Sequence, residues 1–173
     1  MRGVSLNAYC ASQLESCLQE AQGFSVSRKL KVIENLLKIF GSDLLGVVLF
    51  GSAARGEMRS SSDIDLLVIL SDECAITREL YLKWDDDGDD FETPIINPHF
   101  VHLPNPLTQA GSLWLEASNE GIELLIIDSC VSDTLHQIKL FQENGVVERK
   151  ITHGHPYWIW NKENIEQRNV DAE

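Results

Sequence analysis

Basic residues are scarce in this sequence: 14 Lys and Arg stand against 27 Asp and Glu, for a net charge of −13 at pH 7. Non-specific adhesion to a nucleic-acid backbone needs clustered cations, so a nucleic-acid partner is disfavoured unless a local basic patch exists. The acidity suits a cationic small molecule or a protein instead. Cysteine is equally thin. Cys10, Cys17, Cys74 and Cys130 are scattered with no Cys-x-x-Cys spacing, which argues against a disulfide framework. His99 and His102 are three apart, and His153 and His155 flank Gly154, but neither pair brings further ligands at zinc-site spacing. No apolar run is long enough to cross a bilayer, and the start of the chain lacks the basic-then-apolar pattern of a secretory signal. A reduced cytoplasm is the expected setting.

What is present is an ordinary globular composition. Of 173 residues, 43% are apolar and 24% charged, enough for one domain with a real core. No internal repeat or low-complexity tract interrupts it. The residues divide into an N-terminal helical part over 1–43, a central core over 44–130, and a C-terminal helix with a short aromatic tail over 131–173, all within one compact unit.

The most informative segment is LFGSAARGEMRSSSDIDLLVIL, ending at Leu70. Leu44 to Phe50 is an apolar run bounded by Gly41-Ser42 and Gly51-Ser52, the pattern of a buried strand running into a glycine turn. Gly51 permits a backbone angle or a close approach that a side chain would block, and Ser52 adds a hydroxyl that can cap the following residues. Exposed amides at such a turn suit an anion. Asp63 to Leu70 reads as a second strand. Its alternation places Asp63 and Asp65 on one face, about 7 Å apart along the strand. Paired carboxylates are unfavourable without a cation, and a hard ion such as magnesium prefers carboxylate and phosphate oxygens.

The stretch from Val47 to Leu70 resembles the signature of the nucleotidyltransferase superfamily, whose catalytic domain has the DNA polymerase β-like fold. Gly51, Ser52, Asp63 and Asp65 match its glycine-serine and paired-aspartate motif at the family spacing. Arg55 and Gly56 fit the small "minimal" members, whose loop commonly reads Gly-Ser-x-Ala-Arg-Gly. The resemblance implies an α+β domain with helices packed on a mixed sheet. It also implies transfer of a nucleoside monophosphate, AMP above others, from a nucleoside triphosphate such as ATP to a hydroxyl on a protein or an aminoglycoside-like small molecule. Asp63 and Asp65 would bind two Mg2+ ions, while Gly51 and Ser52 would hold the β- and γ-phosphates. Arg55 is either an extra countercharge for the phosphates or a surface residue paired with Glu57 or another nearby acid. Minimal members often work beside a helical toxin partner, so a protein acceptor is preferred. The competing reading is a catalytically weak protein of the same fold that binds nucleotide or neutralises a partner as an antitoxin does.

Active members of that superfamily usually carry a third carboxylate on a later strand beside the aspartate pair. The extended run Thr93 to Leu103 contains no acid. Glu92 precedes it at the end of the acidic cluster Asp85 to Asp90, which is read as a solvated loop. Glu123, in the apolar run Ile122 to Asp128, is a further candidate, although a strand of that type tends to be structural in the family. Asn97 or His99 could stand in place of the missing acid, at a cost to the metal site.

Elsewhere, Ser5 to Ala21 and Ser25 to Phe40 read as helices, the second with a stripe of Leu30, Ile33, Leu36, Leu37 and Phe40. Asp72 to Trp84, Leu113 to Asn119 and Ser132 to Glu143 read as further helices, with a proline-containing loop through Pro104 and Pro106. The tail from Gly145 to Trp160 suggests two short extended pieces around a turn at His153-Gly154. Tyr157, Trp158 and Trp160 would close the core or stack on a base or partner, the former being favoured. Residues after Asn161 are polar and expected to fray.

Overall fold

In a computed structural model of the chain, the described residues are 24–59, 61–87, 94–153 and 155–161. The helix expected over Ser5 to Ala21, Cys10, Cys17, Glu92 with the end of the acidic cluster, Gly154 and the residues after Asn161 lie outside them.

Helix α1, Val26–Phe40, starts where Ser25 Oγ accepts from the Arg28 N–H at 3.3 Å. It ends at Gly41, whose positive φ of 54° lets its N–H reach the Leu37 carbonyl. The buried face is Val32, Ile33, Leu36 and Phe40. Leu30 and Leu37, expected in the apolar stripe, are instead 41% and 39% exposed. They sit side by side at one margin of the helix's apolar arc, and Val32, at the opposite margin, is buried instead.

A 3-10 turn over Gly41–Asp43 leads into β1, Leu44–Phe50, followed by the short helix α2, Gly51–Ala54. Strand β2, Ile64–Leu70, runs antiparallel to β1, with Phe50 opposite Asp65. Helix α3, Arg78–Asp87, then leads to β3, Ile96–Val101, which lies parallel to β2 with Asp65 opposite Asn97 and Leu66 opposite Pro98. After a 3-10 turn at Leu107–Gln109 come helix α4, Ser112–Glu120, strand β4, Ile122–Ile126, and helix α5, Ser129–Glu143. Strand β4 pairs antiparallel with the other side of β1, giving a sheet in the order β3-β2-β1-β4. The fold is α+β on a mixed sheet, as the resemblance implies.

Strand alternation splits the core between the two faces of this sheet. Val47, Leu49, Ile64, Leu66, Val68 and Leu70 pack with Leu36, Phe40 and Trp84. Val48, Phe50, Leu67 and Ile69 pack on the opposite face with Trp114, Leu115, Val131, Leu135 and Ile138. Asp65 alternates with Leu67 and Ile69, so it belongs to the second face, at the end of the strand.

Two helices begin elsewhere than periodicity predicts. Helix α3 starts at Arg78 rather than Asp72 because residues 72–74 form a turn and 75–77 are irregular, with the Cys74 N–H on the Ser71 carbonyl and the His102 ring 2.8 Å from the Cys74 carbonyl. Helix α5 starts at Ser129 rather than Ser132, capped by Asp128, which accepts from the Cys130 N–H at 2.9 Å. The tail forms a hairpin as predicted: β5, Val147–Thr152, pairs antiparallel with β6, His155–Trp160. Trp158 and Trp160 are partly buried against the second core, while Tyr157 is 42% exposed.

The α4–β4 junction leaves no room for a side chain at Gly121. A Cβ there would lie 2.3 Å from the Ala117 carbonyl oxygen and 2.8 Å from Val48 Cγ1. Gly121→Ala is therefore expected to destabilise the fold by about 1–3 kcal/mol, as overpacking against fixed backbone does, measured by urea unfolding. An unchanged midpoint would contradict this packing.

Candidate functional site

The site begins where β1 ends. Phe50 is fully extended and Gly51 turns to φ +71°, a left-handed conformation that favours glycine. The turn is closed by the Arg55 N–H on the Gly51 carbonyl at 3.2 Å and the Glu57 N–H on the Ser52 carbonyl at 2.9 Å. Space imposes a second demand, since a Cβ on Gly51 would lie 2.7 Å from Asp65 Oδ2. The glycine turn and the second aspartate of the Asp-x-Asp pair are thus in direct apposition.

Asp65 is half-buried on β2, and its Oδ1 faces β3. Asn97 Nδ2 donates to that oxygen at 3.0 Å, and His99 Nε2 lies 3.4 Å from the same oxygen and 3.2 Å from the Asn97 nitrogen. The His99 ring packs at a tilt on Phe50, with centroids 5.4 Å apart. Burial pushes the Asp65 carboxyl up. His99 and Asn97, with the charges of His99 and Arg55 behind them, outweigh it and hold the group below its ordinary value of 3.8. Stabilisation from this shift is present above the unfolded-state value and is lost as pH falls through the lower folded-state value. Asn97→Leu removes one donor and is expected to raise the Asp65 pKa, measured by carboxyl-carbon NMR titration. An unmoved titration would show that the Asn97 contact does not act on Asp65.

Asp63 is exposed and immediately precedes β2 rather than lying within it. Arg55 has taken the ion-pairing role: its Nε is 2.7 Å from Glu57 Oε2, and its Nη1 pairs with Glu120 at the end of α4. The Glu57 hydrogen bond leads in raising the guanidinium pKa, partly offset by burial, and Glu120 adds to the rise. Glu120 was no sequence candidate, because nothing local links it to a residue 65 positions earlier. Glu123 is not brought to the aspartates. It lies opposite Val48 on the far side of β1, accepts from Ser132 Oγ at 3.1 Å, and lines a cleft with His136 and Lys139. Asn97 and His99 are therefore the side chains that meet Asp65 from β3.

Among the described residues, no group of three His, Cys, Asp or Glu side chains is placed to hold a metal ion. Asp63 and Asp65 nevertheless offer charged oxygens of the kind one hard divalent cation prefers, with nucleotide and water oxygens to complete its shell. Asp65 Oδ1 already meets the Asn97 amide and the His99 ring.

Residues 30–98 match the family model of the nucleotidyltransferase domain. Over this span the chain is similar to the nucleotidyltransferase family. The matched span runs from within α1 to Pro98 in β3, so it includes Gly51, Ser52, Arg55, Asp63, Asp65 and Asn97. Spectinomycin 9-adenylyltransferases of Staphylococcus aureus strains Mu50 and N315 are each 48% identical to it over 42 residues, 24% of this chain. The match spans 15% of the length of those relatives. Solved structures similar to it include a toxin–antitoxin with AMP-PNP, at 17% identity and TM-score 0.47, covering 83% of this chain and 96% of that one. A mutant of the toxin–antitoxin MntA-HpeT aligns at 17% identity and TM-score 0.46, covering 83% and 96%. Among the described residues, no helix is long and apolar enough to cross a membrane.

Proposed function

We propose that this chain transfers a nucleoside monophosphate, AMP in the first instance, from a nucleoside triphosphate to a hydroxyl of a protein or small molecule. The observation that carries this reading is the apposition of Gly51 and the Asp65 carboxylate inside the segment that matches the family. The partial likeness to adenylyltransferases favours ATP as donor.

In this reading Asp63 and Asp65 hold a divalent cation, expected to be Mg2+. When bound, such an ion neutralises phosphate charge and favours ionisation of an acceptor hydroxyl. The chain's own residues do the rest. The Gly51-Ser52 turn brings backbone close to the phosphates where a side chain would block them. Asn97 and His99 orient Asp65 through Oδ1, leaving Oδ2 toward the turn. Arg55, anchored by Glu57 and Glu120, keeps a positive charge near Asp65. The acceptor oxygen bonds to the α-phosphorus as the bond to the bridging oxygen breaks. Pyrophosphate leaves, and the hydroxyl proton passes to water.

A second reading has its own observation, the amide and imidazole that face Asp65 from β3 in place of an acid. It is a protein that binds nucleotide with little turnover and neutralises a partner by contact, as an antitoxin does. The experiment that separates the two is magnesium-dependent transfer from each α-labelled nucleoside triphosphate into a source-cell extract, beside Asp63→Asn. Label incorporated by the wild-type chain and not by the variant supports transfer and identifies the acceptor. Nucleotide binding without incorporation favours the second reading.

A further inference from the structure

We propose that the site takes a single divalent cation with its nucleotide rather than a pair, because β3 meets Asp65 with an amide and an imidazole. This rests on the nucleotide-binding reading above. Two ions about 3.5–4 Å apart require anionic oxygens that both can share. Asp65 is the more enclosed of the two aspartates, and parallel pairing sets Asn97 directly opposite it. The Asn97 N–H occupies one lone-pair direction of Oδ1 at 3.0 Å, and His99 Nε2 crowds the same oxygen at 3.4 Å. That leaves Oδ2, on the Gly51 side, and the exposed Asp63 for metal.

Charge points the same way. A second divalent ion, beyond the one that accompanies the negatively charged triphosphate, needs a further anionic oxygen from the protein, and among the described residues the carboxylates at the start of β2 are those of Asp63 and Asp65. The Asn97 amide is neutral whichever way it is turned. Glu57 and Glu120 are paired with Arg55, and Glu123 is bonded to Ser132 across β1. None of these four side chains supplies the shared anion that a second ion needs.

The test counts ions directly and does not depend on turnover. The full chain is mixed with one equivalent of α,β-methylene-ATP, whose carbon bridge blocks cleavage, and titrated with Mn2+, bound ion being read from the loss of the free-ion EPR signal. The wild type is expected to bind one Mn2+ per protein–nucleotide complex. Asn97→Asp, which sets a carboxylate against Asp65, is expected to bind two, the second at least about 10-fold tighter than any further binding to wild type. Two tight ions in the wild type overturn the inference, and this holds even if the variant does not fold. One ion in both proteins overturns it as well, since the amide would not be what limits the count. Failure of the protein to retain the analogue on gel filtration in the presence of Mn2+ would instead remove the nucleotide reading on which the inference stands.

Discussion

Asp65→Asn is expected to lower nucleotidyl transfer by on the order of 1,000-fold, with the melting temperature close to that of the wild type. The substitution keeps the side-chain volume. An amide oxygen at the Oδ1 position still accepts from Asn97 Nδ2, so the contact that joins the start of β2 to β3 survives. What disappears is the charge. Magnesium-nucleotide affinity, read by calorimetry, should fall in parallel with transfer, while circular dichroism keeps its wild-type form. Undiminished transfer would remove Asp65 from the site, and loss of activity with unfolding would assign it to the fold instead.

Gly51→Ala has the second large effect, for two reasons that can be separated. Its φ of +71° is strained for alanine, and the new methyl would stand 2.7 Å from Asp65 Oδ2. Backbone strain of this kind costs about 1–3 kcal/mol. The methyl also pushes away the carboxylate oxygen left for metal. Gly56, with φ +68° and nothing within 4 Å of where a methyl would stand, carries the strain without the collision. Gly56→Ala should therefore lose stability while keeping most magnesium-nucleotide affinity, whereas Gly51→Ala should lose both. Equal binding in the two variants, at matched stability, would show that contact with Asp65 is not what requires a glycine at position 51.

Strands β1 and β2 are legible from residues alone because β1 is an apolar run bounded on both sides by glycine and serine, and β2 is apolar from Leu66 to Leu70. Helix α1 is legible for a similarly local reason, its own apolar stripe. Helix α3 is not. Ile76, Leu80 and Trp84 share a helical spacing and pack on one core, yet Ile76 reaches that core from a loop whose Cys74 carbonyl is engaged by His102. Periodicity records which side chains are buried and says less about the backbone that carries them. The site divides in the same way. The glycine turn and both aspartates stand in one continuous segment, so their spacing is visible. The meeting of Asn97 with Asp65 spans 32 positions and depends on a parallel register that no local pattern encodes. The Arg55–Glu120 pair, across 65 positions, left only one side of its ambiguity visible in the neighbouring Glu57.

Among the described residues strand β3 is an edge of the sheet, and its Pro98 has a bearing on solubility. The Ile64 N–H bonds to the Ile95 carbonyl, so the odd-numbered residues of β3 turn their backbone groups toward β2 and Pro98 turns its own outward. The proline costs the ladder nothing there, and it deletes a donor from the open border. An incoming extended chain, including the same strand of another molecule, would meet a gap in the middle of the row it must pair with. The strand that presents Asn97 and His99 is in this way guarded against aggregation along its open side.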